Sequence, residues 1–267
     1  MIDVVHIRSR DNPLLVNLRK LTRTPGAYRK LGSVWLEGEH LCSALRTRGR
    51  AAVQAVVSDK AWQQPALREL ASWAPSVVCV PDALFESVSS LESPAGIGFV
   101  IDALPVQDIR SGVASVVLDR VQDAGNVGSI LRSAAALGFT QVLALAGSAA
   151  LWSPKVLRAG MGAHFALGLV EGVTQADLAL LGLPLLAGSS HASNSLDSAA
   201  IPFPCAWVFG HEGQGVAQSV LARCHMTLRI PQPGGEESLN VAAAAAICLY
   251  ATRRFAGNCS GPHGLNR

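Results

Sequence analysis

The chain has 267 residues, of which 15% are charged and 49% are of the hydrophobic types AVILMFWYC. This composition supports a substantial buried core, which excludes disorder as the main state and predicts one large or two modest domains. Residues 1–50 contain ten Lys/Arg and four Asp/Glu, a balance of +6, whereas residues 51–267 contain twelve and fifteen, a balance of −3. A basic N-terminal segment favours a polyanionic partner, most commonly nucleic acid.

The six cysteines are irregularly spaced and form no C-x-x-C pair. Neither a disulfide scaffold nor a zinc site is expected from this spacing, so we expect reduced thiols and no metal. The start of the chain lacks the long apolar run of a signal peptide. The longest apolar stretches, near 178–188 and 241–251, fall short of the roughly 20 residues that a membrane span needs. The expectation is a cytoplasmic protein with no membrane contact.

Short strands and helices alternate in the first hundred residues. Basic residues are interleaved with leucines at helical spacing over residues 8–31, which predicts a basic amphipathic helix. We expect its cations to contact the polyanion; they include Arg19, Lys20, Arg23 and Arg29. The elements predicted after it are strand 34–36, helix 39–48, strand 52–57, helix 65–73, strand 77–80, a short helix from residue 81 and strand 97–101. The pattern predicts a small α/β domain over residues 1–104.

A second α/β domain is predicted over residues 112–258. It opens with Val113–Leu118, a continuous apolar run typical of a strand that is buried on both faces. The later predicted elements are a helix through residues 130–137, strand 141–146, a helix opening at 153–154, strands 166–170, 184–187, 205–209 and 226–230, and a last helix from Ser238 to about Phe255. Strands that alternate with helices predict a mostly parallel sheet covered by helices on both faces.

The first of three polar loops after predicted strands begins at Asp119. Ligands bind at the carboxyl ends of parallel strands, so such loops are candidate sites. Asn126 and Gly128 lie where the loop enters a helix, and Arg132 lies further along that helix. A helix cap at Asn126 and a surface ion pair at Arg132 are the alternative explanations for these two residues.

The other two loops are rich in glycine. The loop at residues 209–215 contains three glycines in its last six positions, which allows close approach of the backbone to a ligand, although an ordinary turn has the same composition. Residues 230–241 contain Ser238, a good helix N-cap, and Asn240, which a cap at Ser238 does not explain.

Together the loops read N-x-G-x-x-x-R, G-x-E-G-x-G and I-P…S-L-N-V, and in this order they resemble the SpoU (TrmH-type) family of SPOUT RNA methyltransferases over about residues 112–255. The segment Leu36–Leu41, LEGEHL, is similar to the substrate-binding domain that precedes the catalytic domain in ribosomal-RNA members. Three positions depart from the family pattern: Ala124, Gly160 and His211 stand where many relatives have Pro, Ser and Asn.

The resemblance implies an α/β catalytic domain with a trefoil knot, preceded by a small α/β substrate-binding domain. It also implies binding of S-adenosylmethionine, methylation of a ribose 2′-hydroxyl in RNA and a homodimer. The cofactor contacts that it implies fall on Gly188, Gly210, Ile230 and Leu239. The catalytic set that it implies consists of Arg132, Asn126, Glu212, Ser238 and Asn240.

Arg132 takes the central role in that set. Arginine stays protonated in proteins, so we favour a cation that stabilises the developing alkoxide over a general base. A substrate phosphate would then relay the proton, while the four other residues position the ribose and Arg132.

Ribosomal RNA is the preferred substrate because of the LEGEHL segment, and transfer RNA is second. A non-catalytic RNA-binding protein is a further alternative, which the intact polar residues of the three loops disfavour. A dinucleotide-dependent oxidoreductase is disfavoured because the G-x-G-x-x-G fingerprint is incomplete.

Overall fold

The computed structural model describes residues 4–103, 107–234 and 238–258, with side chains described up to residue 254. Its strands are β1 (Val4–His6), β2 (Ser33–Glu37), β3 (Gln54–Ser58), β4 (Val77–Val80), β5 (Ile97–Asp102), β6 (Ser115–Asp119), β7 (Gln141–Leu145), β8 (Gly168–Val173), β9 (Leu185–Gly188), β10 (Asn194–Ser195), β11 (Ala206–Gly210) and β12 (Met226–Arg229). Its α-helices are α1 (Pro13–Arg23), α2 (Ala27–Leu31), α3 (Glu39–Thr47), α4 (Asp59–Trp62), α5 (Pro65–Ala71), α6 (Asp82–Val88), α7 (Ala124–Ala136), α8 (Pro154–Gly160), α9 (Gln218–Leu221) and α10 (Val241–Asn258). Two 3-10 helices span Ala163–Ala166 and Asp177–Leu181.

The chain forms two compact units. One comprises Met1–Pro105 together with Ala150–Ala166, and the other comprises Val106–Ala149 together with Leu167–Arg267. The grouping of α8 with the N-terminal unit was not anticipated from the sequence. The division into domains at 1–104 and 112–258 stays a prediction, and its boundary at residue 104 lies outside the described residues. No helix in the described part of the chain is long and apolar enough to cross a membrane.

The N-terminal unit contains a five-stranded sheet in the order β1-β4-β3-β5-β2. The first three strands are parallel, and β5 runs antiparallel to both β3 and β2. The basic amphipathic helix predicted within residues 8–31 is confirmed as α1, which buries Leu15, Leu18 and Leu21; it ends at Arg23, and a second helix, α2, begins at Ala27. Pro25 lies in the break and has no N–H to continue a helix. The edge strand β1, which has three residues, is too short to show a periodic pattern.

Gly160, one of the three departures from the pattern that the resemblance implies, ends α8, and the structure explains the glycine. A Cβ at this position would lie 2.5 Å from Cε1 of His164. The His164 ring is fully buried, and its Nε2 lies 2.9 Å from the carbonyl oxygen of Leu151. Burial lowers the pKa of His164 to about 4, so the imidazole is neutral at physiological pH. The missing side chain at 160 makes room for this ring.

The second unit contains a seven-stranded sheet in the order β10-β12-β9-β11-β6-β7-β8, and every pairing within it is parallel. Strand β6 is buried throughout, as its apolar run predicted. Helix α10 is held to the sheet by Trp207 of β11, whose Nε1 donates to Thr252 Oγ1 at 2.9 Å. The predicted α/β class with a parallel sheet is confirmed, and the trefoil knot stays a prediction.

Candidate active site

An open cleft of about 770 Å³ lies at the carboxyl ends of β9 and β11, within the second unit. Its lining includes all four predicted cofactor positions: Gly188, Gly210, Ile230 and Leu239. Gly188 and Gly210 are the last residues of their strands, whereas Ile230 follows β12 and Leu239 precedes α10. A parallel sheet places such strand ends at one edge, which is where this fold binds ligands.

Gly210 is required by the loop that follows it. A Cβ here would lie 2.2 Å from the backbone carbon of Gly215 and 2.2 Å from the nitrogen of Val216. The loop returns this closely because His211 and Gly215 exchange two backbone hydrogen bonds, of 3.1 and 2.8 Å. His211, one of the departures from the family pattern, also accepts at Nδ1 from the N–H groups of Gly213 and Gln214. Its imidazole therefore holds the turn.

A buried carboxylate anchors the same loop to β6. Asp119 is 2% exposed, and its Oδ2 accepts from the N–H of Ala217 at 2.6 Å. Arg120 lies beside it with a positive φ of 61° and donates to Gln214 Oε1 at 2.9 Å. Neither residue belongs to the set of site residues that the sequence predicts. The sequence does hold one signal for them: an Asp at the end of a buried apolar strand indicates a buried carboxylate, and a buried carboxylate needs a partner.

A chain of hydrogen bonds joins one polar residue from each of the three loops. Asn126 Nδ2 donates to Glu212 Oε1 at 3.1 Å, and Asn240 Nδ2 donates to Asn126 Oδ1 at 2.9 Å. Asn126 is free to make both contacts because Asp123 caps α7, accepting from the N–H of Asn126 at 2.8 Å. The cap interpretation of the Asn126 side chain was therefore wrong. We call Glu212, Asn126 and Asn240 the amide network.

Asn240 fixes the direction of the whole network. Helix α10 begins at Val241, so the predicted cap at Ser238 was wrong: Asn240 Oδ1 accepts from the N–H groups of Ala242 and Ala243, at 2.9 and 3.3 Å. With its oxygen committed to the helix, Asn240 must present its amino group to Asn126. Asn126 must then present its own amino group to Glu212. Ser238 lines the cleft, but it does not join the network.

The Glu212 carboxylate is ionised and its oxygens are occupied. Partial burial opposes its ionisation, but hydrogen bonds from the Asn126 amide and from backbone N–H groups outweigh this and hold the pKa of Glu212 below its ordinary value. Two of those N–H groups belong to Asp123 and Gln122, at 3.1 and 3.3 Å. A carboxylate of lowered pKa with several donors is a weak base, which suits a positioning role better than proton abstraction.

Arg132 makes no hydrogen bond to the network. It is exposed on α7, it has no hydrogen-bond or ion-pair partner among the described residues, and it does not line the cleft. The predicted surface ion pair is therefore not found in the described part of the chain. The catalytic role of Arg132 stays a prediction.

A parallel α/β domain with this cleft and these three joined loops has the architecture of an RNA methyltransferase, and sequence comparison supports that class. The model of the SpoU rRNA Methylase family matches residues 114–250. The chain belongs to the SpoU family, so the resemblance drawn from the three loops is confirmed.

The chain is similar to an uncharacterized tRNA/rRNA methyltransferase of Synechocystis, with 33% identity and 97% of each chain covered. It is also similar to the 23S rRNA (guanosine(2553)-2′-O)-methyltransferase RlmP of Bacillus subtilis, with 28% identity over 92% of this chain and 98% of that one. In fold it matches the SpoU methyltransferase AviRb of Streptomyces viridochromogenes, solved in complex with AdoMet. That match has a TM-score of 0.85 and 22% identity, and it covers 94% of this chain and 100% of that one.

Proposed function

We propose that this RNA methyltransferase transfers the methyl group of S-adenosylmethionine to a ribose 2′-hydroxyl of ribosomal RNA, in the cytoplasm. The observation that carries the proposal is the amide network, which brings one polar residue from each of three distant loops beside the cleft. The name of the Bacillus subtilis relative, which specifies 2′-O-methylation of 23S rRNA, supports the ribose and the ribosomal substrate.

The cleft fits the proposed cofactor. Its volume lies in the range of small-molecule sites, and its lining combines apolar side chains with polar groups. Gln232 lines it as well, and the Oε1 of Gln232 is buried and has no hydrogen-bond partner among the residues that the structure describes. Buried polar atoms are normally paired, so a donor on the occupant would satisfy this oxygen. S-adenosylmethionine carries such donors on its adenine, ribose and ammonium groups, and when bound it supplies a methyl carbon activated by a sulfonium.

The chain itself must supply alignment and charge. The 2′-oxygen, the methyl carbon and the sulfur have to lie in line, and such positioning contributes roughly 7–11 kcal/mol in favourable cases. We assign the positioning of the ribose to the amide network and to Ser238 at the rim of the cleft. We assign stabilisation of the developing alkoxide to Arg132, whose guanidinium keeps its charge, with a substrate phosphate as proton acceptor.

Arg132 does not line the cleft of its own subunit and has no partner among the described residues, which favours a homodimer in which this residue serves the cleft of the other subunit. An apolar stripe on α10 supports such an interface: Ile247 and Tyr250 are 40% and 59% exposed and lie one turn apart.

Mixed dimers provide the test of this arrangement. One subunit would carry Arg132→Ala and the other Gly188→Trp, which fills the cleft. Activity of the mixed dimer above that of either parent dimer supports an active site that combines the cleft of one subunit with Arg132 of the other. A mixed dimer without activity would mean that Arg132 and the cleft of the same subunit act together.

Transfer RNA is the second candidate substrate, since the name of the Synechocystis relative covers both RNA classes. Methylation of purified 23S rRNA and of bulk transfer RNA with labelled cofactor distinguishes them. Incorporation into ribosomal RNA alone is the expected result, and incorporation into transfer RNA alone would overturn the substrate assignment. A non-catalytic RNA-binding protein would incorporate label into neither while still binding RNA.

A further inference from the structure

We infer that the N-terminal unit contains a zinc-binding site formed by His6, Asp59 and Cys79. Their ligand atoms all lie within 4.8 Å of one another, and this is the only such His/Cys/Asp/Glu group among the described residues. The inference is independent of the methyltransferase function, because none of the three residues lies in the unit that holds the cleft.

The topology of the sheet explains why these residues meet. Strands β1, β4 and β3 are adjacent and parallel. His6 ends β1 and pairs in register with Cys79 of β4. Asp59 follows directly after Ser58, the last residue of β3. The three side chains therefore lie at one edge of the sheet, although they come from positions far apart in the chain. Zinc-site reasoning from sequence spacing misses such a set.

The donor set selects the class of metal. An imidazole nitrogen, a thiolate sulfur and a carboxylate oxygen are ligands that Zn²⁺ takes, whereas Mg²⁺ and Ca²⁺ prefer oxygen ligands alone. Three protein ligands leave the fourth tetrahedral position to water. His6 is exposed and the Asp59 side chain is 39% exposed, so an ion has access from solvent.

The contacts of Asp59 leave one of its oxygens to a metal. Arg8 Nη1 binds Asp59 Oδ2 at 2.5 Å, while the Cys79 thiol donates to Asp59 Oδ1 at 3.2 Å. A metal that replaces the thiol proton would bridge Sγ and Oδ1, and Arg8 would keep its place on Oδ2. Partners of this kind orient the ligands of known metal sites. The ion would also fasten β1, a strand of three residues at the sheet edge, to its two neighbours.

The main free-energy cost of binding zinc is the removal of the proton from the Cys79 thiol. Burial, together with the hydrogen bond to Asp59, raises the pKa of Cys79 to about 12. Zinc must displace the proton, which leaves to solvent when the Zn–S bond forms.

Two separate titrations of the full-length, chelator-stripped protein test the inference, one with zinc sulfate and one with cobalt(II). We expect one high-affinity zinc and, with cobalt, a thiolate-to-metal charge-transfer band. Cys79→Ser should abolish the band, and His6→Ala should weaken zinc binding by at least about tenfold. Matched controls are Cys42→Ser, a buried thiol, and His40→Ala, an exposed imidazole; both should bind as wild type does. Absence of zinc binding by wild type would overturn the site, as would binding that His6→Ala leaves unchanged. His6 is exposed, so this variant stays informative if Cys79→Ser fails to fold.

Discussion

The direction of the amide network makes Asn240→Asp a sharp test of its role. Aspartate has the shape of asparagine and caps a helix equally well, so the bonds from Asn240 Oδ1 to the start of α10 survive. The second carboxylate oxygen, however, faces Asn126 Oδ1 where an amino group donated at 2.9 Å. If Asn126 turns its amide to meet the new acceptor, its own oxygen then faces the Glu212 carboxylate. Either arrangement loses one hydrogen bond and sets two oxygens against each other.

The expected magnitude follows from these contacts. A neutral hydrogen bond contributes about 0.5–1.5 kcal/mol and one to a charged group about 1.5–3; the exposure of these side chains lowers the loss and the two opposed oxygens raise it, which places it near the boundary of the two ranges. A loss of about 1.4 kcal/mol in positioning is a tenfold loss in rate. Stability should change less, because a carboxylate at a helix N-terminus gains about 0.3–1 kcal/mol from the helix dipole.

Single-turnover methyl transfer, urea unfolding and calorimetry with the cofactor separate these effects. We expect Asn240→Asp to lose at least about tenfold in rate with near-normal stability. Asn240→Ala, the control, should also lose the cap, at a cost of about 1 kcal/mol in unfolding. Glu212→Gln combined with Asn240→Asp should recover part of the rate, since the amide introduced at position 212 can donate to the turned Asn126 side chain, at the cost of the hydrogen bond that Glu212 Oε1 accepts from the N–H of Asp123. Wild-type turnover by Asn240→Asp, or a double variant no better than additive, would refute the positioning role.

Three further results are expected. Gly188→Ala should keep the fold, because its Cβ would meet only Phe209 at 3.9 Å, yet weaken cofactor binding; Gly210→Ala should lower the melting temperature because its Cβ meets backbone at 2.2 Å. Equal effects on binding and stability for both variants would contradict this. The depressed pKa of Glu212 means that its contribution to stability is full above its ordinary value of 4.5 and is lost as pH falls through the folded pKa. The difference in the free energy of unfolding between wild type and Glu212→Gln should shrink only below that pH. A difference that grows on acidification would contradict the lowered pKa. Changing both Lys20 and Arg23, exposed on α1, to Gln should reduce the salt slope of RNA binding by about 0.7–0.9 per contact, and an unchanged slope would exclude them as phosphate contacts.

Much of the fold and of the site could be predicted because it depends on local patterns. The buried run of β6 and the glycines of the cleft left signals in the chain itself. The cap at Asn240 was missed because Ser238 has equal propensity, and only the start of α10 distinguishes them. The anchor formed by Asp119 and Arg120 depends on where the loop at 211–217 returns. That return is a tertiary contact that no local pattern records.

Two further features could not be predicted for the same reason: the buried Oε1 of Gln232 that has no partner among the described residues, and the cluster of His6, Asp59 and Cys79. Their neighbours come from distant parts of the chain, and only the sheet order brings them together. The absence of Arg132 from the lining of the cleft could not be predicted from the sequence either, because a motif spacing fixes a position along a helix and not the site that the helix serves.

The most direct test of the proposed function is methyl transfer from labelled S-adenosylmethionine to ribosomal RNA, followed by alkaline hydrolysis. Wild type should leave the label in an alkali-resistant dinucleotide, the product of a methylated 2′-oxygen, and Arg132→Ala should bind the cofactor but transfer nothing. Label recovered in mononucleotides, which is the product of base methylation, would contradict the account. Full transfer by Arg132→Ala would contradict it as well.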